Sequence, residues 1–224
     1  MHSVLAIGAH PDDIELGCAG TLAAHRAAGD SVTMLVLTGG QNGPGAEVDR
    51  RAEAEAAART LDCLLVWGRL LDCAVSPDSA TISAIENVIS GVEADVIYVH
   101  APDDSHQDHR AAAAATMSAA RHASRVLPYR SPSTVRFEPS LFVDISAYLD
   151  RKLAALSCHH SQVLGSAMVD PEVVAASARH FGAQARVRYA EAFAPARFVW
   201  DLAPVAGLLP SVDVHAPAAR VPAW

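Results

Sequence analysis

Three segments constrain the fold most: "SVLAIGA" (3–9), "SVTMLVLT" (31–38) and "DVIYVH" (95–100) are apolar almost without interruption. A strand with one wet face alternates polar and apolar residues, so an unbroken run belongs to a strand covered on both faces. A shorter run, "CLLVWG" (63–68), is a further strand candidate. Helix-like segments separate them at 14–29, 46–62, 79–92 and 107–124, with Gly29 placed as a helix stop. Two more helices are expected at 147–162 and 171–184, and two more strands at 134–138 and 140–145. Strand–helix alternation of this kind predicts an α/β chain with a mostly parallel, doubly wound sheet and helices on both faces. No repeat or linker interrupts 1–224, which reads as one domain. The stretch 204–224 is proline-rich and weakly patterned, a cover or an oligomer arm.

Charge and cysteine usage exclude several functions. The chain has 224 residues, with Lys+Arg 17 against Asp+Glu 25, a net charge of −8. Its arginines form no basic stripe, which argues against a nucleic-acid partner. No apolar run approaches the ~20 residues of a membrane span. No basic segment precedes the first apolar run, so a cytoplasmic location is expected. Cys18, Cys63, Cys73 and Cys158 are dispersed and form no C-x-x-C pair. They read as reduced, small core residues.

The polar residues gather in two knots. "AHPDD" (9–13) ends the first apolar run, and "HAPDDSHQDHR" (100–110) ends the fourth. In the common strand order 3-2-1-4-5, strands one and four are neighbours and flank the crevice where ligands bind. Two or three histidines with several carboxylates and no thiolate are the donors of a catalytic metal site. They suit Zn²⁺, with Fe²⁺ or Mn²⁺ as alternatives. Zinc brings the pKa of bound water to about 7. An aspartate beside the metal could then take a proton, and a histidine could stabilise an oxyanion and protonate a leaving amine. Two adjacent aspartates point in different directions and can divide these tasks, with Pro11 stiffening the turn. A blander account makes "PDD" a turn with a helix N-cap and "SHQDH" a helix start. Finding both knots at the ends of the two switch-point strands disfavours it. A nucleotide-binding domain is disfavoured too, because Gly17 and Gly20 fall inside the first helix and not ahead of it.

"GAHPDDIELGCAGTLA" (8–23) resembles the signature of the LmbE-like, or PIG-L, N-acetylglucosaminyl deacetylases. "RRAEAEAAARTL" (50–61) resembles the family's R-x-x-E helix and "DSHQDHRAA" (104–112) its H-x-D-H-R motif. "RKLAALSCHHSQ" (151–162) and "YAEAFAP" (189–195) resemble softer, later segments. The resemblance implies a Rossmann-like fold and a divalent metal, usually zinc. It implies hydrolysis of an N-acetyl group on an amino sugar or a related small N-acetylated metabolite. It assigns the metal to His10, Asp13 and His109, the general base to Asp12 and the acid or oxyanion partner to His106. Asp108 would orient a histidine. Arg50 would contact substrate, with Arg51 as the alternative in the doublet, and His159 occupies a pocket position. A homo-oligomer, trimer or hexamer, is implied as well. Asp62 departs from the glycine the family often carries there, and the chain is shorter than the mycothiol-type members. Cleavage of a larger amide, a thiol conjugate or natural-product acyl group, is the alternative activity.

The remaining histidines have plain readings. His2, His25, His122, His180 and His215 are expected to be surface or structural. His100 is expected beside the site and not as a ligand, Cys18 in the core, and Glu15 as support for the metal cluster.

Overall fold

The computed structural model describes residues 1–43, 50–165 and 167–201. Its first two thirds alternate as the apolar runs require: β1 (Ser3–Gly8), α1 (Asp13–Ala27), β2 (Ser31–Thr38), α2 (Arg50–Leu61), β3 (Leu64–Leu70), α3 (Ser79–Gly91), β4 (Val96–His100), α4 (Gln107–Ala119) and β5 (Arg125–Tyr129). The last third adds β6 (Leu141–Asp144), α5 (Leu149–Leu156), α6 (His160–Val163), a 3-10 turn at Ala167–Val169, α7 (Pro171–Ala185), β7 (Ala190–Phe193) and β8 (Arg197–Phe198). The sheet order is β3-β2-β1-β4-β5-β7-β6, with β8 also on β5. β3, β2, β1, β4 and β5 are parallel, and β6, β7 and β8 pair antiparallel.

The expected order 3-2-1-4-5 is present, but its fifth strand lies elsewhere. The strand expected at 134–138 is absent; of that stretch only Thr134 forms a bridge, to Asp104, and β5 is "RVLPY" instead. Pro128 hides this strand in the sequence, since proline lacks a donor and is disfavoured inside sheets. It is tolerated because the ladders on the outer side of β5 register at Arg125, Val126 and Tyr129, and Pro128 takes part there through its carbonyl, which accepts from Ala194 N at 3.0 Å. The helix expected at 147–162 breaks into α5 and α6, and that expected at 107–124 ends at Ala119. The segment 204–224 and His215 lie outside the described residues, as do the first four residues of the helix expected at 46–62.

Both sheet faces are covered. Val4 and Ala6 of β1 point into a core layer shared with Ile14, Cys18 and Leu22 of α1 and Ala57 and Leu61 of α2. Leu5 and Ile7 point to the other side, against Ile85 of α3 and Ala111, Ala112 and Ala115 of α4. Burying one such Leu or Ile contributes roughly 1.5–3 kcal/mol. The glycines of α1 serve this packing: a Cβ on Gly17 would lie 2.2 Å from the Tyr129 ring, and one on Gly20 2.8 Å from Ile145. The last third is tied to α1 by a buried ion pair between Lys152 of α5 and Glu191 of β7. Glu191 also accepts from the Gly20 and Thr21 amides at 3.0 and 2.6 Å, and Lys152 Nζ donates to Leu16 O at 2.8 Å. Cys18 is buried as expected, but Cys73 is exposed, in the loop after β3. His25 bridges Asp30 and Tyr98, a structural role, while His122 and His180 are exposed.

Candidate metal centre

The carboxyl ends of β1 and β4 adjoin, so the two polar knots meet. Residues 9–13 follow β1, and 101–106 run from β4 into α4, whose first turn carries Asp108 and His109. Three overlapping groups could each hold a metal ion: His10 with His106 and His109, Asp13 with His100 and His109, and His10 with Asp72 and Asp108.

Hydrogen bonding fixes which nitrogen of each histidine is free. His109 Nδ1 lies 3.2 Å from Asp104 Oδ2 and 3.2 Å from Ser133 Oγ. Its Nε2 is buried with no hydrogen-bond partner and stands 3.2 Å from Asp13 Oδ1. His10 Nε2 faces Asp72 Oδ1 at 3.0 Å and Asp108 Oδ2 at 3.1 Å, which leaves Nδ1 on the side of Asp13, 3.4 Å from Oδ2. A carboxylate on one imidazole nitrogen that leaves the other for a metal is the usual outer support of such ligands. Asp13 is fixed in turn, because its Oδ2 accepts from the His10 amide at 2.7 Å and contacts His100 Nε2 at 3.1 Å. The Asp13 carboxylate thus lies between the two histidines, with Oδ2 3.4 Å from His10 Nδ1 and Oδ1 3.2 Å from His109 Nε2, and imidazole and carboxylate donors of this kind fit a divalent ion.

The charges agree with a cavity built for a cation. Burial opposes a charge on His10, but Asp108, Asp13 and Asp72 outweigh it and raise the imidazole to about 12. His109 is opposed by burial in the same way and raised by Asp13 and Asp104 to about 9. Burial pushes Asp13 up, yet His109, His100 and His10 hold it well below the usual carboxylate range. His100 is pulled down to about 4, chiefly by burial, and stacks neutral on His109 with centroids 3.9 Å apart.

Asp12 stands apart from this cluster. It takes the N-cap position of α1 at φ 105°, ψ −26°, and its side chain caps nothing. Left-handed backbone at a non-glycine residue costs roughly 1–3 kcal/mol and persists where surroundings enforce it. Arg50 helps enforce it: Nη2 donates to Pro11 O at 2.7 Å and Nη1 to Gly40 O at 3.1 Å, and Nη2 is 3.8 Å from Asp12 Oδ1. Burial raises the Asp12 carboxyl to about 7, with Asp13 adding to the effect. Arg51 instead lies exposed over the Trp67 ring.

His106 is half-buried and caps α4. Its Nδ1 accepts from the Asp108 amide at 3.2 Å, so the neutral ring carries its proton on Nε2. Burial, together with the charges of His10 and His109, lowers its pKa. The N-cap account of "SHQDH" thus holds for His106, while that of "PDD" fails for Asp12. His159 has no exposed surface and lies apart from the metal cluster, against Glu15.

Sequence reasoning missed Asp72, Asp104, Ser131 and Ser133. Asp72 follows β3 at the same sheet edge, which is its one visible signal. Asp104 lies in the second knot, and Ser131, whose Oγ donates to Asp104 at 2.6 Å, follows β5, the strand that Pro128 hides. A largely apolar cavity of about 310 Å³ borders the centre through Ser131, with Leu16, Val174 and Phe181 in its wall.

A family model described as PIG-L, GlcNAc-PI de-N-acetylase, matches residues 5–120. The uncharacterized deacetylase YaiS of Escherichia coli K12 is 38% identical over 167 residues, covering 70% of this chain and 90% of YaiS. Among solved structures, the conserved protein TT1542 of Thermus thermophilus superposes with a TM-score of 0.80 at 28% identity, over 91% of this chain and 98% of that one. GalB, the 4-carboxy-2-hydroxymuconate hydratase of Pseudomonas putida, does so with a TM-score of 0.78 at 23% identity, over 91% and 100%, a likeness of fold alone.

Proposed function

Because the chain belongs to the PIG-L deacetylase family, we propose that it is a zinc-dependent hydrolase that removes an N-acetyl group from an amino sugar or a related small metabolite. The observation that supports this reading is the Asp13 carboxylate set between His10 Nδ1 and His109 Nε2, next in sequence to Asp12, whose buried carboxylate caps no helix. His10, Asp13 and His109 would hold the ion. Zinc, when bound, supplies a Lewis acid that brings the pKa of water to about 7; Fe²⁺ and Mn²⁺ suit the same donors.

Asp12 takes the proton of the attacking water as the acetamide carbon is attacked. His106 donates its Nε2–H to the carbonyl oxygen as negative charge develops there. The departing amine then needs a proton, which Asp12, just protonated, stands ready to return. Asp108 acts through His10, and Asp104 through His109. Arg50 serves the base by clamping the Pro11 carbonyl. The partner on this reading is a small N-acetylated molecule, and among the described residues no helix is long and apolar enough to cross a membrane.

A second reading, cleavage of a larger amide, is favoured by the apolar cavity beside Ser131. One experiment separates the two. Acetate release is measured from a panel of N-acetylated amino sugars, and amine release from longer N-acyl analogues, with Asp12→Asn as the blank. Acetate release absent from the variant supports the deacetylase. Amine release from the longer analogues alone moves the assignment to the larger amide.

A further inference from the structure

On the side of His10 away from Asp13 stands a second group of donors. His10 Nε2 lies 3.0 Å from Asp72 Oδ1 and 3.1 Å from Asp108 Oδ2, and atoms of these three residues could hold a metal ion. One carboxylate is enough to support a ligand histidine, and here there are two. A single N–H cannot fully serve both, and the two side chains are only 4% and 0% exposed. Buried carboxylates are paired with positive charge or coordinate a metal. A divalent cation brings two charges to this spot, where the imidazole brings at most one.

The geometry suits an ion. Metal bonds of about 2.0–2.2 Å meeting at right or tetrahedral angles put donor atoms roughly 3.0–3.4 Å apart. Both carboxylates are held in place by the chain around them. Asp72 Oδ2 accepts from Asn42 N at 2.7 Å. Asp108 accepts from Cys73 N at 2.7 Å through Oδ2 and from Val75 N at 3.3 Å through Oδ1. A buried metal site also needs a way in. The group reaches the surface at Cys73, which is exposed and whose Sγ lies 3.6 Å from Asp72 Oδ1.

We propose that His10 Nε2, Asp72 and Asp108 form a second divalent-cation site, which competes with the first for the imidazole of His10. A neutral imidazole has one free nitrogen to offer and carries its proton on the other. With an ion on Nδ1, the proton sits on Nε2 and is shared by the two carboxylates. With an ion on Nε2, that proton leaves, and Nδ1, given up by the first ion, takes one from solvent. Its N–H then faces Asp13 Oδ2, 3.4 Å away, and the ring need not turn. The first ion keeps only Asp13 and His109, so the second cation acts as a brake. Two carboxylates and an imidazole suit Zn²⁺ and Mn²⁺. The inference rests on the reading of His10 as a ligand through Nδ1.

The test is a Zn²⁺ titration of the full chain, its histidines labelled with a heavy nitrogen isotope, beside Asp72→Asn. Asparagine keeps an oxygen for the Nε2–H but lacks the charge. Zinc counted after equilibrium dialysis should reach one per wild-type chain at equimolar metal and two in excess. Nitrogen spectra should place the His10 proton on Nε2 with the first ion and on Nδ1 with the second. Hydrolysis of an N-acetylated amino sugar should fall several-fold in step with the second ion. Asp72→Asn should take the first ion and bind the second about 10-fold more weakly, or weaker still. A wild-type chain that never takes a second ion overturns the proposal. So does a His10 proton that does not move to Nδ1, a rate unchanged with both ions bound, or a second ion equally tight in Asp72→Asn. If Asp72→Asn does not fold, Asp72→Ser takes its place with the same expectations. A chain that binds zinc but hydrolyses nothing overturns the hydrolase reading alone, because the zinc count and the histidine spectra need no substrate. A chain that binds no zinc overturns both.

Discussion

Replacing Asp104 by Asn should loosen the metal without altering a ligand. The Asp104 carboxylate accepts from His106 N at 2.8 Å through Oδ1, and from Ser131 Oγ at 2.6 Å and Thr134 Oγ1 at 3.0 Å through Oδ2. The same Oδ2 faces His109 Nδ1 at 3.2 Å. An asparagine keeps one oxygen and cannot serve both sides. With its oxygen toward the His106 amide, its NH₂ meets the Nδ1–H of His109, donor against donor. His109 must then give up that bond or move its proton to Nε2, the atom aimed at Asp13. One charge-assisted hydrogen bond is worth about 1.5–3 kcal/mol, which converts to roughly 10- to 150-fold in Kd. Zinc affinity would be read by competition with a chromophoric chelator near neutral pH. Asp103→Asn, an exposed neighbour, serves as the control. An Asp104→Asn protein with wild-type affinity would refute the idea that Asp104 aims His109 at the ion.

Zinc binding should expel protons, because metal needs neutral imidazole and the metal-free site holds His10 at about 12 and His109 at about 9. Both are charged at neutral pH, so affinity should rise as pH rises from 6 toward 9, each tenfold change in proton concentration shifting Kd in that direction. Calorimetry in buffers of different ionisation enthalpy should count about two protons per ion; none released would contradict the assignment. Gly17→Ala should lower stability by about 1–3 kcal/mol through overpacking, since its Cβ would lie 2.2 Å from Tyr129. Denaturant unfolding checks this, and an unchanged midpoint would mean that the ring moves freely.

What the sequence reveals and hides follows from how local each signal is. β1, β2 and β4 announce themselves because strands covered on both faces must be apolar throughout. His10, Asp12, Asp13, His106, Asp108 and His109 stand out because polar residues crowd the ends of those strands. β5 is hidden by Pro128, whose tolerance depends on where β7 and β8 happen to pair. Asp72 has one weak cue, Asp104 only its place in the same knot as His109, and the pairing of Lys152 with Glu191 has none, since it is made by chain segments meeting in space. Glu53 is visible as part of an R-x-x-E helix, but its grip on Ser161 is not.

The strand order also sets a timetable for the chain. Among the described residues β6 pairs only with β7, from Leu141↔Phe193 to Asp144↔Ala190, and β7 is what joins it to β5. A strand finished at residue 144 therefore waits for one that begins at residue 190. During synthesis the five parallel strands, with His10, Asp13 and His109, can assemble while β6 still has no berth in the sheet. The arrival of Glu191 brings β7 between β5 and β6 and closes the salt link to Lys152 in the same event. His10, Asp13 and His109 thus belong to the part of the chain that is made first, and the Lys152–Glu191 pair to the part that closes when the last strands arrive.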